Sequence, residues 1–266
     1  MLFGAVQMNS QLDVEANLAR VVALVKEACA RGAEIVALPE NFAFFGPEDE
    51  KREVAEVLGQ GRISTTLQAL ARETGIPIVG GGMPERSHDP MRPYNTSILV
   101  DAGGRIAGAY RKIHLFDVDL ADGTRVEESA GTSPGAEASV TPILGTKLGM
   151  TVCYDLRFPE LYRRLSDHGA RVVTVPAAFT LTTGKDHWHV LLRARAIENE
   201  VYVVAPAQWG AHPRGRRTYG KSLVVDPWGE VIAQAQEGEG VLVAKLDFAY
   251  QDRVRRELPC LSHRVL

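Results

Sequence analysis

The chain has 266 residues, 45% hydrophobic and 24% charged, a balance that argues against disorder or low-complexity architecture and lets it bury a large core. Thirty Lys+Arg against 33 Asp+Glu leave a formal net charge of -3, so no chain-wide footprint for nucleic acid or an anionic membrane exists and the expected partner is a small molecule. Three cysteines, Cys29, Cys153 and Cys260, are odd in number and widely spaced, which fits neither a disulfide framework nor a zinc knuckle and points to a reducing compartment.

Leu2 to Met8 reads as a first strand, because it lacks the basic region and long apolar run of a signal peptide. No stretch reaches the ~18 uninterrupted apolar residues of a spanning helix, and the expected location is the cytoplasm. Val14 to Arg31 places Leu18, Val21, Val22, Val25 and Ala28 at helical spacing before Gly32. Residues 34–38 form a second strand, ended by Pro39, so Glu40 sits just past a strand end. Helical patterns follow at 48–58 and 64–74, the latter opened by Ser64 as an N-cap. Extended structure resumes at 76–79, and a hairpin turns through Asp101-Ala102-Gly103-Gly104.

Much of this returns. Ser97-Ile98-Leu99-Val100 and its turn recur as Ser222-Leu223-Val224-Val225 and Asp226-Pro227-Trp228-Gly229, at an offset of 125 residues, and 76–79 recurs as 201–204 at that same offset. Upstream, 32–39 resembles 169–176 and 4–8 parallels 149–153. The chain reads as two copies of strand, helix, strand, helix, strand, hairpin. Each copy implies a sheet with helices outside, and two such halves bury their bare sheet faces together, which gives a four-layer α-β-β-α sandwich in the α/β class. No domain boundary stands out, so 1–266 is expected to be one domain, with 112–140 a long functional loop.

Candidate chemistry sits at strand ends. Cys153 closes the run 147–152 and precedes Tyr154-Asp155-Leu156-Arg157-Phe158-Pro159-Glu160, where Pro159 suits a first helical position. One reading is a nucleophile elbow in which helix-terminal N–H groups favour thiolate; the other is a buried structural thiol. Cys29 and Cys260 end no strand and keep the structural reading. A thiol acting on a carbonyl needs a base and a cation or donor for the developing oxyanion. None of the seven histidines carries a local signature as that base. Glu40 offers an alternative, or is a solvated loop carboxylate. Lys112 follows the first hairpin among apolar and aromatic neighbours. Arg214, Arg216 and Arg217 form the one basic cluster, read first as a solvated hairpin tip and second as a contact for an acidic, peptide-like substrate. Thr182-Thr183-Gly184-Lys185-Asp186 lacks the pattern of a phosphate loop, and His187-Trp188-His189, at the start of an expected 186–199 helix, is not spaced for zinc.

Leu38-Pro39-Glu40, Arg111-Lys112-Ile113-His114 and Val152-Cys153-Tyr154-Asp155-Leu156-Arg157-Phe158-Pro159-Glu160, in that order and with the terminal Asp226-Pro227-Trp228-Gly229 hairpin, resemble the Glu, Lys and Cys blocks of the nitrilase superfamily of carbon-nitrogen hydrolases. The resemblance spans essentially the whole chain. It implies that Cys153 attacks an amide carbonyl, that Glu40 moves the proton, that Lys112 faces the oxyanion with help from the Tyr154 N–H, and that Glu128 is a second, positioning carboxylate beside the lysine. No cofactor or metal is implied, and a homodimer is. His187-Trp188, residues 191–198 and Ala207-Gln208 look most like the deaminated glutathione amidases, whose product pair is 2-oxoglutarate and Cys-Gly. Residues 114–119 and 181–184 resemble the omega-amidases acting on 2-oxoglutaramate. For a 2-oxo acid amide, Arg157 is the candidate carboxylate contact, with Tyr154 and Phe179 as further substrate-binding candidates. A catalytically idle oligomeric binding scaffold is the alternative from a different class.

Overall fold

The computed structural model describes residues 1–119, 123 and 125–265. Helix α1 (Val14–Ala30), which follows strand β1 (Leu2–Gln7), starts where Asp13 Oδ1 accepts the N–H groups of Glu15 and Ala16, at 2.9 and 3.1 Å. Its Leu18, Val21, Leu24, Val25 and Ala28 form the buried stripe. The chain continues through β2 (Ile35–Ala37), α2 (Arg62–Thr74), β3 (Ile78–Glu85), β4 (Tyr94–Val100) and β5 (Ile106–Arg111). A short hairpin, β6 (Asp117–Asp119) with β7 (Arg125–Glu127), leads to the second copy.

That copy runs β8 (Ser139–Ile143), β9 (Thr146–Met150), α3 (Pro159–Asp167), β10 (Val172–Thr174), α4 (Leu181–Asn199) and β11 (Tyr202–Ala205). A small ribbon of β12 (Trp209–Ala211) and β13 (Arg217–Tyr219) precedes β14 (Leu223–Val225) and β15 (Val231–Gln234). Strand β16 (Gly240–Lys245) and helix α5 (Phe248–Glu257) complete the fold. The two sheets have orders β16-β1-β2-β3-β4-β5 and β8-β9-β10-β11-β14-β15, the same arrangement twice. In each, three central strands are parallel and both flanks antiparallel. The duplication read in the sequence is thus a duplication of topology.

Strand alternation assigns the layers. In β1, Phe3 and Ala5 join the core shared with the second sheet, while Val6 packs with the α1 and α2 residues; in β2, Ile35 and Ala37 go one way and Val36 the other. These are the four layers expected. The seam is tight at Gly81, where an added Cβ would lie 1.9 Å from the Leu38 carbonyl oxygen and 2.6 Å from Pro176 Cβ. Only glycine lets the strand ends carrying Glu40 and Cys153 approach each other here.

Several expected elements differ. The helix expected at 48–58 is a 3-10 segment at Glu48–Glu53, because Glu56 is held alongside β3, its N–H donating to the Pro84 carbonyl. The Glu56 carboxylate there accepts the N–H groups of Ile63 and Ser64, so it caps α2 and Ser64 is not the N-cap. Helix α4 begins five residues before Asp186, at Leu181, with Thr180 Oγ1 accepting from the Thr183 N–H. The 112–140 loop contains β6, β7 and the first residues of β8.

Candidate active site

Four segments deliver four buried side chains to one place. Glu40 follows β2, Lys112 follows β5, Glu128 lies on a 3-10 turn after β7, and Cys153 follows β9. Exposure is 4%, 2%, 4% and 8% respectively. Lys112 Nζ donates to Glu40 Oε1 at 3.0 Å and to Glu128 Oε2 and Oε1 at 2.8 and 3.1 Å. Glu40 Oε1 also accepts from Asn95 Nδ2 at 3.0 Å, and its Oε2 accepts from the Ala178 N–H at 3.0 Å. A cation this deep survives only because two carboxylates and their hydrogen bonds satisfy it.

Burial alone would strip the proton from Lys112, but the Glu128 and Glu40 carboxylates raise its pKa well above the ordinary value. For Glu128 burial opposes the charge, and Lys112 with Lys51 still lowers its pKa. The Cys153 thiol goes the other way. Burial pushes it well above its ordinary value and the Glu40 carboxylate adds to the rise, while Lys112 and the Ala178 N–H only partly offset it.

This corrects the expectation that a helix N-terminus favours thiolate. Cys153–Arg157 is a single 3-10 segment, and α3 begins only at Pro159. With its pKa raised, the sulfur holds its proton more tightly, so attack on a carbonyl calls for a neighbouring base to take it. The turn itself is sharp: Cys153 has φ +48°, a left-handed conformation costing about 1–3 kcal/mol for a non-glycine residue. It is held by the Cys153 N–H donating to the Pro176 carbonyl and the Val152 N–H donating to Asp155 Oδ2, both at 2.8 Å.

A cavity of about 620 Å³ opens onto this cluster and is also lined by Tyr154, Arg157 and Phe179. The Arg157 guanidinium carbon lies 5.7 Å from the Tyr154 ring centroid and 5.4 Å from that of Phe179. Its nitrogens contact His187 Nδ1 at 3.4 Å, and no carboxylate pairs with it among the described residues. Phe179 leans on the fully buried Trp188, whose Nε1–H donates to the Lys221 carbonyl at 2.9 Å. Glu127 is exposed, unlike Glu128. Arg214, Arg216 and Arg217 are not merely a solvated tip: all three line the same cavity, because the β12–β13 ribbon folds over its mouth.

A sequence-family profile described as carbon-nitrogen hydrolase matches residues 2–256. The chain belongs to the carbon-nitrogen hydrolase family. Two curated relatives are named deaminated glutathione amidase. That of Synechocystis is 44% identical over 99% of this chain and 98% of its own length, and that of Homo sapiens is 42% identical over 99% and 82%. Among solved structures, Saccharomyces cerevisiae Nit3, a member of branch 10 of the nitrilase superfamily, superimposes with TM-score 0.89 at 33% identity, covering 97% of this chain and 94% of that one. A mutant amidase from Nesterenkonia sp. AN1, showing Michael addition of acrylamide at its active-site cysteine, matches with TM-score 0.81 at 28% identity over 97% and 98%. This carbon-nitrogen hydrolase is therefore an enzyme of amidase type.

Three further residues of the hydrolase support this cluster, none of them given a role by the motifs. Asn95 donates to Glu40 and, at 3.4 Å, to Glu128, while its carbonyl accepts the Lys112 N–H at 2.8 Å. Asp155, fully buried, accepts from the Tyr110 hydroxyl (2.7 Å), the His114 N–H (3.2 Å) and the Val152 N–H, tying the lysine segment to the cysteine turn. Gln208 Nε2 donates to the Glu40 carbonyl at 2.9 Å. Asn95 is a single amide with no surrounding pattern, and Gln208 lies in the Ala207-Gln208 resemblance, which carried no role for it. Asp155 lies inside the cysteine motif, and its burial three residues past a strand is the signal that was available.

Proposed function

We propose that this carbon-nitrogen hydrolase cleaves the amide of deaminated glutathione, giving 2-oxoglutarate and Cys-Gly, through a thioester on Cys153. The observation that carries the reading is the hydrogen-bonded Glu40, Lys112, Glu128 cluster beside the buried Cys153 thiol on one cavity. Glu40 takes the thiol proton as Cys153 Sγ bonds to the carbonyl carbon and the carbonyl π pair moves to oxygen. Lys112 Nζ, held by Glu128 and Glu40, brings its positive charge to the oxyanion together with the Tyr154 N–H. Collapse restores the carbonyl and breaks the C–N bond, and the proton on Glu40 passes to the departing amine. Water then attacks the thioester, yields its proton to Glu40, and the sulfur leaves and regains that proton.

Arg157, with no carboxylate partner among the described residues, suits the carboxylate of a 2-oxo acid, and Tyr154 with Phe179 walls the acyl chain. An omega-amidase differs only in releasing ammonia. The two are separated by kcat/KM for deaminated glutathione and for 2-oxoglutaramate: a clear preference for the former is expected, a preference for the latter reverses the assignment, and turnover of neither ends it.

The same reading takes residues 1–266 as one working domain, because the site draws side chains from both halves. It places the enzyme in the cytoplasm, consistent with three free cysteines. No helix among the described residues is long and apolar enough to cross a membrane. It also makes the protein a homodimer, supported by exposed Val190 and Ile197 on α4 and exposed Trp228 on the adjoining hairpin.

A further inference from the structure

We infer that the arginine-bearing mouth of the Cys153 cavity is a subsite for a carboxylate on the departing amine, with Arg217 its principal contact. This rests on the amidase reading above, whose leaving group Cys-Gly ends in a free carboxylate, and adds to it the residue that recognises that carboxylate.

The charges around the cavity are not evenly satisfied. At its floor Lys112 is matched by Glu40 and Glu128. At its mouth Arg214 bonds to Glu50 at 3.0 Å and Arg216 to Glu48 at 3.3 Å, and the buried Lys51 also bonds to Glu48, at 2.6 Å. Arg125 and Arg217 line the same cavity, and neither has a carboxylate partner among the described residues. Among the described residues, these two arginines at the entrance are thus without a carboxylate partner and open to a ligand's.

The scaffold under Arg217 is fixed. His212, which opens the turn, is buried; its ring nitrogens contact the Ser10 carbonyl at 2.9 Å and Thr218 Oγ1 at 2.7 Å, and its ring lies 4.1 Å from that of Phe45. The His212 N–H donates to the Arg216 carbonyl at 2.8 Å, Arg217 pairs with Ala211 across the ribbon, and Thr218 bridges to Thr180 at the start of α4. The arginine therefore projects from a strand anchored on both sides, which restricts where its guanidinium can reach.

The order of bond changes decides which part of a substrate meets it. The acyl group stays on sulfur while the amine departs before water enters, so the amine must occupy the solvent side of the scissile bond. That side is the mouth. A departing ammonia is too small to reach it, whereas a peptide amine spans toward it, and a cavity of about 620 Å³ has room for both portions. A carboxylate at the far end of the peptide then meets Arg217, with Arg125 adding to the local field.

The test uses three amides of 2-oxoglutarate, with Cys-Gly, the C-terminal amide of Cys-Gly, or ammonia as leaving group, on the full chain and on Arg217→Ala, Arg217→Lys and Arg217→Glu. Wild type is expected to prefer the free carboxylate over its capped amide by about tenfold in kcat/KM, the scale of one charge-assisted contact. Arg217→Ala brings that ratio close to one, mainly through KM, Arg217→Lys restores part of it, and Arg217→Glu inverts it. A wild-type ratio retained in Arg217→Ala overturns the subsite, as does wild-type indifference to the cap while all three amides are cleaved; both leave the amidase reading standing. Failure of wild type to cleave any of the three overturns both.

Discussion

Removing the Lys112 side chain leaves two buried carboxylates, Glu40 and Glu128, without the cation that joins them at 3.0 and 2.8 Å. Breaking such a cluster costs about 3–5 kcal/mol. Lys112→Ala is therefore expected to lose stability as well as turnover, with Tm falling by roughly 10 °C. A variant that is inactive yet melts with wild type contradicts the described pairing. Glu128 and Lys112 contribute oppositely with pH. The lowered Glu128 pKa gives stability present above its unfolded value and lost in acid, and the raised Lys112 pKa gives stability lost only in strong base. Glu40, Lys112 and Cys153 stand out in the sequence only together, through the resemblance of their three motifs to one family, since each alone reads equally as a structural or surface residue. What they do to one another is not. The direction of the thiol's shift follows from burial and from the Glu40 carboxylate, and neither is visible in the spacing of residues along a chain.

At the level of elements, the β12–β13 ribbon depends on a neutral histidine. Burial holds His212 down at about 4, and its ring bonds Thr218 and the Ser10 carbonyl. The unfolded chain, with an ordinary histidine, binds the extra proton between pH 6.5 and 4. This stability is fully present above pH 6.5 and is lost as pH falls through that window. Thermal unfolding across pH 7.5 to 4.5 should show a steeper acid loss in wild type than in His212→Gln; equal slopes would show that the histidine does not carry it. The parallel strands and α1 can be read from periodicity. The helix expected at 48–58 fails because Glu56 is needed in extended chain to cap α2, a tertiary demand that local propensity does not contain. Strands β8 and β16 go unread because each is defined by the partner it borders, β9 and β1, rather than by a pattern of its own.

At the scale of the molecule, the repeat explains why the site lies at the seam. Two copies of one topology bring strand ends to a common seam, and each gives different chemistry from a non-equivalent strand: the acid after β2 and the cation after β5 in the first, the thiol after β9 in the second. Strand β16 crosses back to complete the first sheet beside β1, so that sheet is not finished until the second copy has been made. The exposed apolar residues of α4 bear on assembly. Wild type should sediment as a dimer and Val190→Asp with Ile197→Asp as a monomer, while a monomeric wild type would remove the proposed interface. The central claim is that the acyl group is carried by one sulfur. Acid quenching during steady-state turnover of deaminated glutathione, followed by intact-mass and peptide analysis, measures this directly. The account predicts one 2-oxoglutaryl adduct on Cys153, absent from Cys153→Ala along with activity. An adduct confined to Cys29 or Cys260, or full turnover by Cys153→Ala, contradicts it.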